Sequence, residues 1–209
     1  MTHQPVILIG GGGHAGVVFD VCRAASIPVL GLLDDEADCP LARSGIAWLG
    51  PTNTPIPTNA QYIIAIGALA LRRQIIDRLA SDRAANAAIH PSAVVSPTAK
   101  LERGVVIMPG AVVNRNAHVG AHAIINTRAV IEHDGTVGEN THLAPGSVLG
   151  GNVSVGQDTL IGINTGVVPG VHIGEQCLVG AGSTVIGDIT SGERVAGVPA
   201  RSIDVVSGL

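Results

Sequence analysis

Residues 119–143 read VGAHAI-INTRAV-IEHDGT-VGENTH-L, so that every sixth residue is aliphatic. The same spacing extends in both directions without a slip. It covers seventeen positions, namely Ile89, Val95, Leu101, Ile107, Val113, Val119, Ile125, Ile131, Val137, Leu143, Leu149, Val155, Ile161, Val167, Ile173, Val179 and Val185. A small or apolar residue stands four positions after each of them, and none of these is charged. A period of six residues therefore dominates this part of the chain.

This period predicts a parallel β-helix in which each hexad supplies a short strand and a corner. Three hexads close one triangular coil, so residue i is expected to lie above residue i−18, with coils about 4.8 Å apart. The aliphatic side chain points into the bore, and the small residue fits a tight corner. Because one coil cannot bury its apolar face alone, the stack of coils makes the core.

The composition fits a narrow bore and excludes several classes of protein. Aromatic residues make up 1% of the 209 residues, and charged residues make up 13%. A net charge of −4, with no cluster of lysine or arginine, argues against a nucleic-acid partner. Three cysteines are too few for a disulfide scaffold, and no apolar run is long enough to span a membrane. No signal peptide is recognisable, which predicts a cytoplasmic protein.

Residues 1–88 predict a small α/β domain in front of the β-helix of residues 89–209. Strands are predicted over 6–9, 29–33 and 62–66, and helices over 17–25 and 69–80. Between the first strand and the first helix, Gly11-x-Gly13-x-x-Gly16 matches the dinucleotide fingerprint. Three strands are about half of a Rossmann fold, so the motif predicts a nucleotide subsite. A plain tight turn between strand and helix is the alternative.

These features together resemble the sialic acid O-acetyltransferase family of hexapeptide-repeat acyltransferases. The resemblance rests on the Gly10-Gly-Gly-Gly-His14 start, the small α/β domain, the hexads, and the ending Ala196-Gly-Val-Pro-Ala-Arg201. It implies a left-handed β-helix acyltransferase domain behind a nucleotide-sugar-binding domain. It also places the chain near the N-acetyltransferases that act on nucleotide-linked 4-amino sugars in the bacillosamine and perosamine pathways, which feed polysaccharide biosynthesis.

The segment Val130-Ile-Glu-His-Asp134 resembles the active-site strand of that family. The resemblance implies that His133 is the general base and that Asp134 supports it. Histidine suits proton transfer near neutral pH, and a neighbouring carboxylate favours the imidazolium that forms. Glu132 is the rival acid. A solvated surface histidine between two acids is the alternative interpretation.

The resemblance also implies binding residues for two substrates. Those for acetyl-CoA are His142, Gly151, Ile163 and Ala181, with the Gly151 N–H bonding the thioester oxygen. Those for the nucleotide sugar are Gly11, Gly13, His14, Asp34, Asp35, Ile66 and Gly67. Arg72 and Arg73 are anion contacts or ordinary charges on a helix face. Ala68 departs from the family, which often has Asn or Asp there, and this removes a polar group from the nucleotide or sugar edge.

The sequence therefore predicts an acetyl-CoA-dependent N-acetyltransferase. Its acceptor is expected to be the 4-amino group of a UDP- or GDP-linked amino-deoxy sugar, with direct transfer and no metal, since the histidines do not fall at His-x-x-x-His spacing with an acid. Two alternatives remain: an O-acetyltransferase acting on a sugar hydroxyl, as of sialic acid, and a non-catalytic β-helix scaffold subunit. Because a prism needs a neighbour to close a groove, a homotrimer with active sites between subunits is predicted.

Overall fold

A three-stranded parallel sheet forms the first part of the computed structural model, which describes residues 4–79 and 81–203. Its strands are β1 (Val6–Ile9), β2 (Val29–Leu33) and β3 (Gln61–Ile64), in the order β2-β1-β3. All four residues of β1 are buried, as expected for the central strand of a parallel sheet. The connections contain the helices α1 (Gly13–Ala24), α2 (Pro40–Arg43) and α3 (Leu69–Arg78) and the 3₁₀ turn Ser81–Arg83.

The bounds of these elements differ from the prediction where glycine and loop residues are involved. Helix α1 begins at Gly13 and not at residue 17, with Gly12 as its N-cap. The last glycine of the run is thus the first residue of the helix, where backbone N–H groups are unpaired in any case. Strand β3 ends at Ile64, short of the predicted residue 66. Helix α3 ends at Arg78, and residue 80, the predicted end, lies outside the described residues.

Seventeen two-residue strands then build three parallel sheets. They are β4 (Ala88–Ile89), β5 (Val94–Val95), β6 (Lys100–Leu101), β7 (Val106–Ile107), β8 (Val112–Val113), β9 (His118–Val119), β10 (Ile124–Ile125), β11 (Val130–Ile131), β12 (Thr136–Val137), β13 (His142–Leu143), β14 (Val148–Leu149), β15 (Ser154–Val155), β16 (Leu160–Ile161), β17 (Gly166–Val167), β18 (His172–Ile173), β19 (Leu178–Val179) and β20 (Thr184–Val185). The predicted fold class, a small α/β part followed by a parallel β-helix, is confirmed.

The three sheets are named here by what covers or lines them. The docked sheet, which carries the N-terminal part, contains β4, β7, β10, β13, β16 and β19. The valine sheet contains β5, β8, β11, β14, β17 and β20, and the polar sheet contains β6, β9, β12, β15 and β18. Each pair of sheets meets at a corner, so that the valine–polar corner lies opposite the docked sheet.

The strand register follows the predicted 18-residue coil almost to the end. Ile125 pairs with Ile107 below it and with Leu143 above it. Every hexad aliphatic from Ile107 to Val185 is buried, which confirms the predicted bore. The rule fails in the last coil, where Val179 pairs with Val195, sixteen residues further on (179 to 195). There the strands β21 (Arg194–Ala196) and β22 (Arg201–Ser202) form an antiparallel pair at the end of the docked sheet.

Apolar packing and a buried arginine are among the contacts that hold the N-terminal part against the β-helix. Val18 and Val21 of α1 pack with Val106 and Ile124 on the docked sheet. Arg72 of α3 is fully buried and donates to the carbonyls of Ile66 (2.9 Å), Gly67 (3.2 Å) and Asn140 (2.7 Å). A buried cation is costly unless its donors are satisfied, so these bonds fix the 66–67 loop relative to the coil that carries Asn140.

Candidate active site

A cleft of about 440 Å³ opens beside the carboxyl ends of β1, β2 and β3. Ligands in parallel α/β sheets commonly bind at this edge. The cleft brings together every residue predicted for the nucleotide sugar: Gly11, Gly13, His14, Asp34, Asp35, Ile66 and Gly67. The sequence motif and the three strand ends thus converge on one place.

The glycines of the motif do different things. A Cβ on Gly11 would overlap Cys39 Sγ, so this glycine is required for packing. A Cβ on Gly13 would meet nothing within 4 Å, and Gly13 is the first residue of α1. Open space in front of a helix N-terminus, with its unpaired N–H groups and positive dipole end, suits a phosphate group.

The acids of the cleft shape it from one side. Asp34 accepts the N–H of Gly11 through Oδ2 (2.6 Å) and the N–H of Glu36 through Oδ1 (2.9 Å). Asp34 therefore holds the glycine loop itself. Asp35 accepts the N–H and the hydroxyl of Thr52, each at 2.9 Å, and these bonds lower the pKa of Asp35. It is exposed and ionised at the rim of the cleft.

The predicted anion contacts Arg72 and Arg73 are not free for an anion. The guanidinium of Arg72 donates to three carbonyls, and Arg73 pairs with Asp158 (3.0 Å) and Glu139 (3.4 Å). Ala68 is the N-cap of α3 and gives it no side-chain cap. Asn and Asp are preferred N-cap residues, so the Asn or Asp that the family often has at this position can cap α3 as well as contact a substrate.

Two neutral histidines meet where the cleft reaches the β-helix. The rings of His14 and His142 lie 6.2 Å apart, centroid to centroid. Burial, and then the positive charge of Arg72, lower the pKa of His142 to about 4 and lower that of His14 as well. Nε2 of His14 is buried and has no hydrogen-bond partner in the described part of the chain. Both side chains are therefore uncharged at neutral pH.

Asn126, which the sequence reasoning missed, fixes the tautomer of His142. The N–H of Thr127 donates to Asn126 Oδ1 (2.7 Å), so that oxygen is the acceptor and the amide nitrogen is the donor. The amide Nδ2 lies 2.9 Å from His142 Nε2. His142 Nε2 must then accept, and the ring hydrogen of the neutral imidazole resides on Nδ1.

His133 and Asp134 form a hydrogen-bonded pair on the valine–polar corner. His133 Nδ1 lies 2.8 Å from Asp134 Oδ2, and Asn116 Nδ2 donates to Asp134 Oδ1 at 3.0 Å. These two bonds, from Asn116 and then His133, lower the pKa of Asp134. Glu132 instead accepts from Asn114 (2.9 Å). Asp134 and not Glu132 therefore orients the imidazole and leaves Nε2 available.

Gly151 lies one coil above His133, as the 18-residue rule predicts. A Cβ on Gly151 would lie 2.6 Å from His133 Nε2 and 2.7 Å from Cε1, so only glycine leaves room for the ring in this position. The Gly151 carbonyl accepts from the N–H of Gly170 (2.9 Å), whereas its own N–H donates to no group in residues 4–79 or 81–203. The Nε2–Cε1 edge of the His133 ring and the free N–H of Gly151 thus lie together on the valine–polar corner.

Ile163 and Ala181 lie one coil apart on the corner between the docked and valine sheets. Ile163 is 50% exposed, and Ala181 is exposed beside it. With Gly151, they flank the valine sheet from its two corners. His142 is the exception among the predicted acetyl-CoA residues, because it projects from the docked sheet beside His14.

One chain does not bring His133 to the cleft. The cleft belongs to the part that covers the docked sheet, and His133 stands on the opposite corner of the prism. The described residues contain no group of three or more His, Cys, Asp or Glu side chains that could hold a metal ion. Among the same residues, no helix has the length and apolar character needed to cross a membrane.

Comparison with known families matches both parts of the chain. Residues 5–79 match the family described as the PglD N-terminal domain, and residues 152–186 match the hexapeptide repeat of succinyl-transferase. A curated relative, UDP-N-acetylbacillosamine N-acetyltransferase of Bacillus subtilis, is 38% identical over 112 residues. That alignment covers 49% of this chain and 50% of the relative, so it spans about half of each protein.

Solved structures match over nearly the full length. The perosamine N-acetyltransferase PerB of Caulobacter crescentus, in complex with CoA and GDP-perosamine, is 38% identical with a TM-score of 0.87, covering 96% of this chain and 97% of that chain. The acetyltransferase domain of PglB from Neisseria gonorrhoeae, in complex with acetyl coenzyme A, is 31% identical with a TM-score of 0.88, covering 96% and 100%.

Proposed function

The chain belongs to the hexapeptide-repeat N-acetyltransferases that carry a PglD N-terminal domain, and we propose that it transfers the acetyl group of acetyl-CoA to the 4-amino group of a nucleotide-linked amino-deoxy sugar. The observation that carries the proposal is the His133–Asp134 pair beneath Gly151, a base with a free N–H beside it. The nucleotide-sized cleft at the glycine motif supports the choice of acceptor. A scaffold subunit needs neither feature.

The residues of the corner fit direct acyl transfer. The neutral amine attacks the thioester carbon, and His133 Nε2 accepts the proton that the nitrogen loses. The carboxylate of Asp134 stabilises the imidazolium, and the Gly151 N–H donates to the oxygen that gains negative charge. As the C–N bond forms, the C–S bond breaks, and the imidazolium returns its proton to the departing sulfur, so that CoA leaves as the thiol. Cys22, Cys39 and Cys177 are buried free thiols away from this corner, so no acyl-cysteine step is invoked.

The nucleotide-sugar-binding residues divide the cleft into two ends. The N-terminus of α1 at Gly13 receives the diphosphate of a UDP- or GDP-sugar, and Asp35 at the rim accepts a ribose hydroxyl. The sugar lies toward His14 and Gly67, at the end next to the β-helix. This direction points the 4-amino group away from the sheet and toward a neighbouring subunit.

A row of exposed and half-buried valines supports a homotrimer. The outward residues of the first four strands of the valine sheet are all valine, namely Val94, Val112, Val130 and Val148. The polar sheet carries Lys100, His118, Thr136, Ser154 and His172 at the equivalent positions. An apolar row of this kind marks an interaction surface. Covering it with a second copy brings the His133 corner of one subunit to the cleft of another.

The free thiols also fit a reducing compartment, since none of the three cysteines is paired. We assign the enzyme to the cytoplasm on this ground.

Release of CoA thiol from acetyl-CoA tests the function against a panel of acceptors. UDP- and GDP-linked 4-amino-4,6-dideoxy sugars are compared with their 4-hydroxy counterparts and with free sialic acid. Turnover confined to the 4-amino compounds supports the proposal. Equal or faster turnover of a hydroxyl acceptor establishes the O-acetyltransferase alternative. If no acceptor leads to release of CoA thiol, the scaffold alternative is favoured.

Replacing Gly13 by valine should weaken acceptor binding selectively. The new side chain has room in the free chain, because a Cβ there meets nothing within 4 Å, but it projects into the space in front of α1. We expect KM for the nucleotide sugar to rise at least tenfold, while KM for acetyl-CoA changes less than twofold. Isothermal titration with each substrate separates the two. Equal loss of both affinities would show that the motif is only a structural turn.

Mixing two damaged chains should restore activity if the site is shared between subunits. Gly13→Val chains keep the base, and His133→Asn chains keep the cleft. In an equal mixture, half of the clefts and half of the neighbouring bases are intact. Random co-assembly therefore brings an intact cleft and an intact base together in about a quarter of the sites. The mixture, refolded together and assayed at low acceptor concentration, should therefore approach a quarter of wild-type turnover. Light scattering that shows an active monomer, or no recovery after mixing, contradicts a shared site.

A further inference from the structure

The charges that line the cleft do not match a nucleotide sugar. A diphosphate brings about two negative charges, which positive groups must offset. The lining side chains include the carboxylates of Asp34, Asp35 and Glu36 and no lysine or arginine. The helix N-terminus at Gly13 supplies the equivalent of roughly half a positive charge. The cations nearest the cleft in its own subunit are Arg78 and Arg72, which already donate to the carbonyls of cleft-lining residues, so neither presents a free guanidinium to a bound diphosphate.

Few cations of the chain are free to supply one. The chain has twelve lysine and arginine residues, and most of them donate to carboxylates or carbonyls. Within residues 4–79 and 81–203, four have side chains that form neither a hydrogen bond nor an ion pair: Lys100, Arg115, Arg128 and Arg194. Lys100 lies on the polar sheet, Arg128 on the docked–valine corner and Arg194 in the last coil, all away from the valine–polar corner.

Arg115 stands on the same corner as His133, one coil below it. Val113 pairs with Ile131, and Arg115 and His133 each follow their strand by two residues. The N–H of Asp134 donates to the Arg115 carbonyl at 2.9 Å, which fixes the two turns against each other. The Arg115 side chain is exposed. Whatever brings His133 to a neighbouring cleft also brings Arg115 there.

We infer that Arg115 binds the diphosphate of the nucleotide sugar that lies in the cleft of the adjacent subunit. This inference rests on the proposed function and on the shared site. The 4-amino group and the anomeric phosphate of a hexose lie on opposite sides of one ring, a separation comparable to the coil spacing of about 4.8 Å between Arg115 and His133. An arginine on a flexible stem then reaches the phosphates while the base reaches the amine. Its planar fork suits two phosphate oxygens at once.

Steady-state kinetics of three variants test this contact. Arg115→Ala should raise KM for the nucleotide sugar about ten- to a hundredfold, as expected for loss of a charge-assisted hydrogen bond. KM for acetyl-CoA and kcat should stay within about threefold. Arg115→Lys, which keeps the charge but loses the fork, should fall in between. Arg23→Ala is the matched control, because Arg23 is an exposed arginine at the far end of α1 from the cleft.

A phosphate-free acceptor makes the test specific. On a methyl glycoside of the same 4-amino sugar, wild type and Arg115→Ala should have equal, low kcat/KM. The inference is overturned if KM for the nucleotide sugar is unchanged in Arg115→Ala, or if the same penalty appears on the glycoside. Failure of the proposed function looks different, since wild type itself would then acetylate no nucleotide-linked amino sugar.

A mixed assembly tests the partner's role. Chains with both Gly13→Val and Arg115→Ala, co-assembled with wild-type chains, form sites in which an intact cleft faces alanine at position 115. Such sites should have the raised KM, and the kinetics should show two classes of site. Since half of the clefts are wild type and half of their neighbours keep Arg115, contact between subunits leaves about a quarter of all sites with wild-type KM. A wild-type-KM share of about one half contradicts contact between subunits.

Discussion

Replacing His133 by asparagine should lower kcat by about 10²–10⁴-fold, the usual contribution of a general base. Asparagine keeps much of the size and hydrogen bonding of the imidazole but cannot take up the proton of the attacking amine. Because His133 is exposed and belongs to no core cluster, the variant should fold as wild type does. KM for the acceptor should change little, since only the transition state loses an interaction. Thiol release at saturating concentrations of both substrates measures the effect.

Asp134→Asn provides the graded control. The asparagine oxygen still accepts the hydrogen bond from His133 Nδ1 but no longer stabilises the imidazolium by its charge. Its effect on kcat should therefore be smaller than that of His133→Asn. Glu132→Gln should have little effect, since Glu132 bonds to Asn114 and not to the histidine. If kcat of His133→Asn stays within about threefold of wild type, the proton goes elsewhere and the assignment is wrong.

The β-helix was predictable because its geometry repeats. A six-residue period places Ile125 between Ile107 and Leu143 without any knowledge of long-range contacts. The prediction failed where repetition fails, in the last coil, which is two residues short. The position of Gly151 above His133 was likewise a matter of counting. The consequence of that position, a ring that only glycine accommodates, depends on side-chain geometry that no spacing contains.

The residues that line the cleft could be predicted from the sequence, but what each of them does there could not. The motif and the acids after β2 were found from sequence, yet Asp34 proved to hold the Gly11 loop. Arg72 was open to an anion in the sequence and is buried against three carbonyls in the structure. Asn126 carries no motif at all, because its partner His142 lies sixteen residues away (126 to 142), outside the 18-residue register. Pairings between unlike side chains are set by packing and leave no periodic signal.

Replacing Gly151 by alanine should inactivate the enzyme almost as severely as removing the base, by about 10²-fold or more. The added Cβ would lie 2.6 Å from His133 Nε2, closer than any real contact, so the ring must move. The moving atoms are the end of an exposed side chain, and Gly151 does not have a positive φ, so the fold accommodates alanine. The melting temperature should therefore change by no more than a few degrees while kcat collapses.

The double variant shows whether the loss acts through the histidine. Alanine keeps the backbone N–H that is proposed to bond the thioester oxygen, so the expected damage is displacement of His133 from Asp134. If so, Gly151→Ala should cost little in a His133→Asn background, because the base is already gone. Gly187→Ala, on the same corner with nothing within 4 Å of its Cβ, should leave kcat unchanged. If Gly151→Ala instead causes its full loss of kcat in the His133→Asn background, Gly151 acts on the thioester independently of His133. That result would separate positioning of the base from stabilisation of the oxyanion.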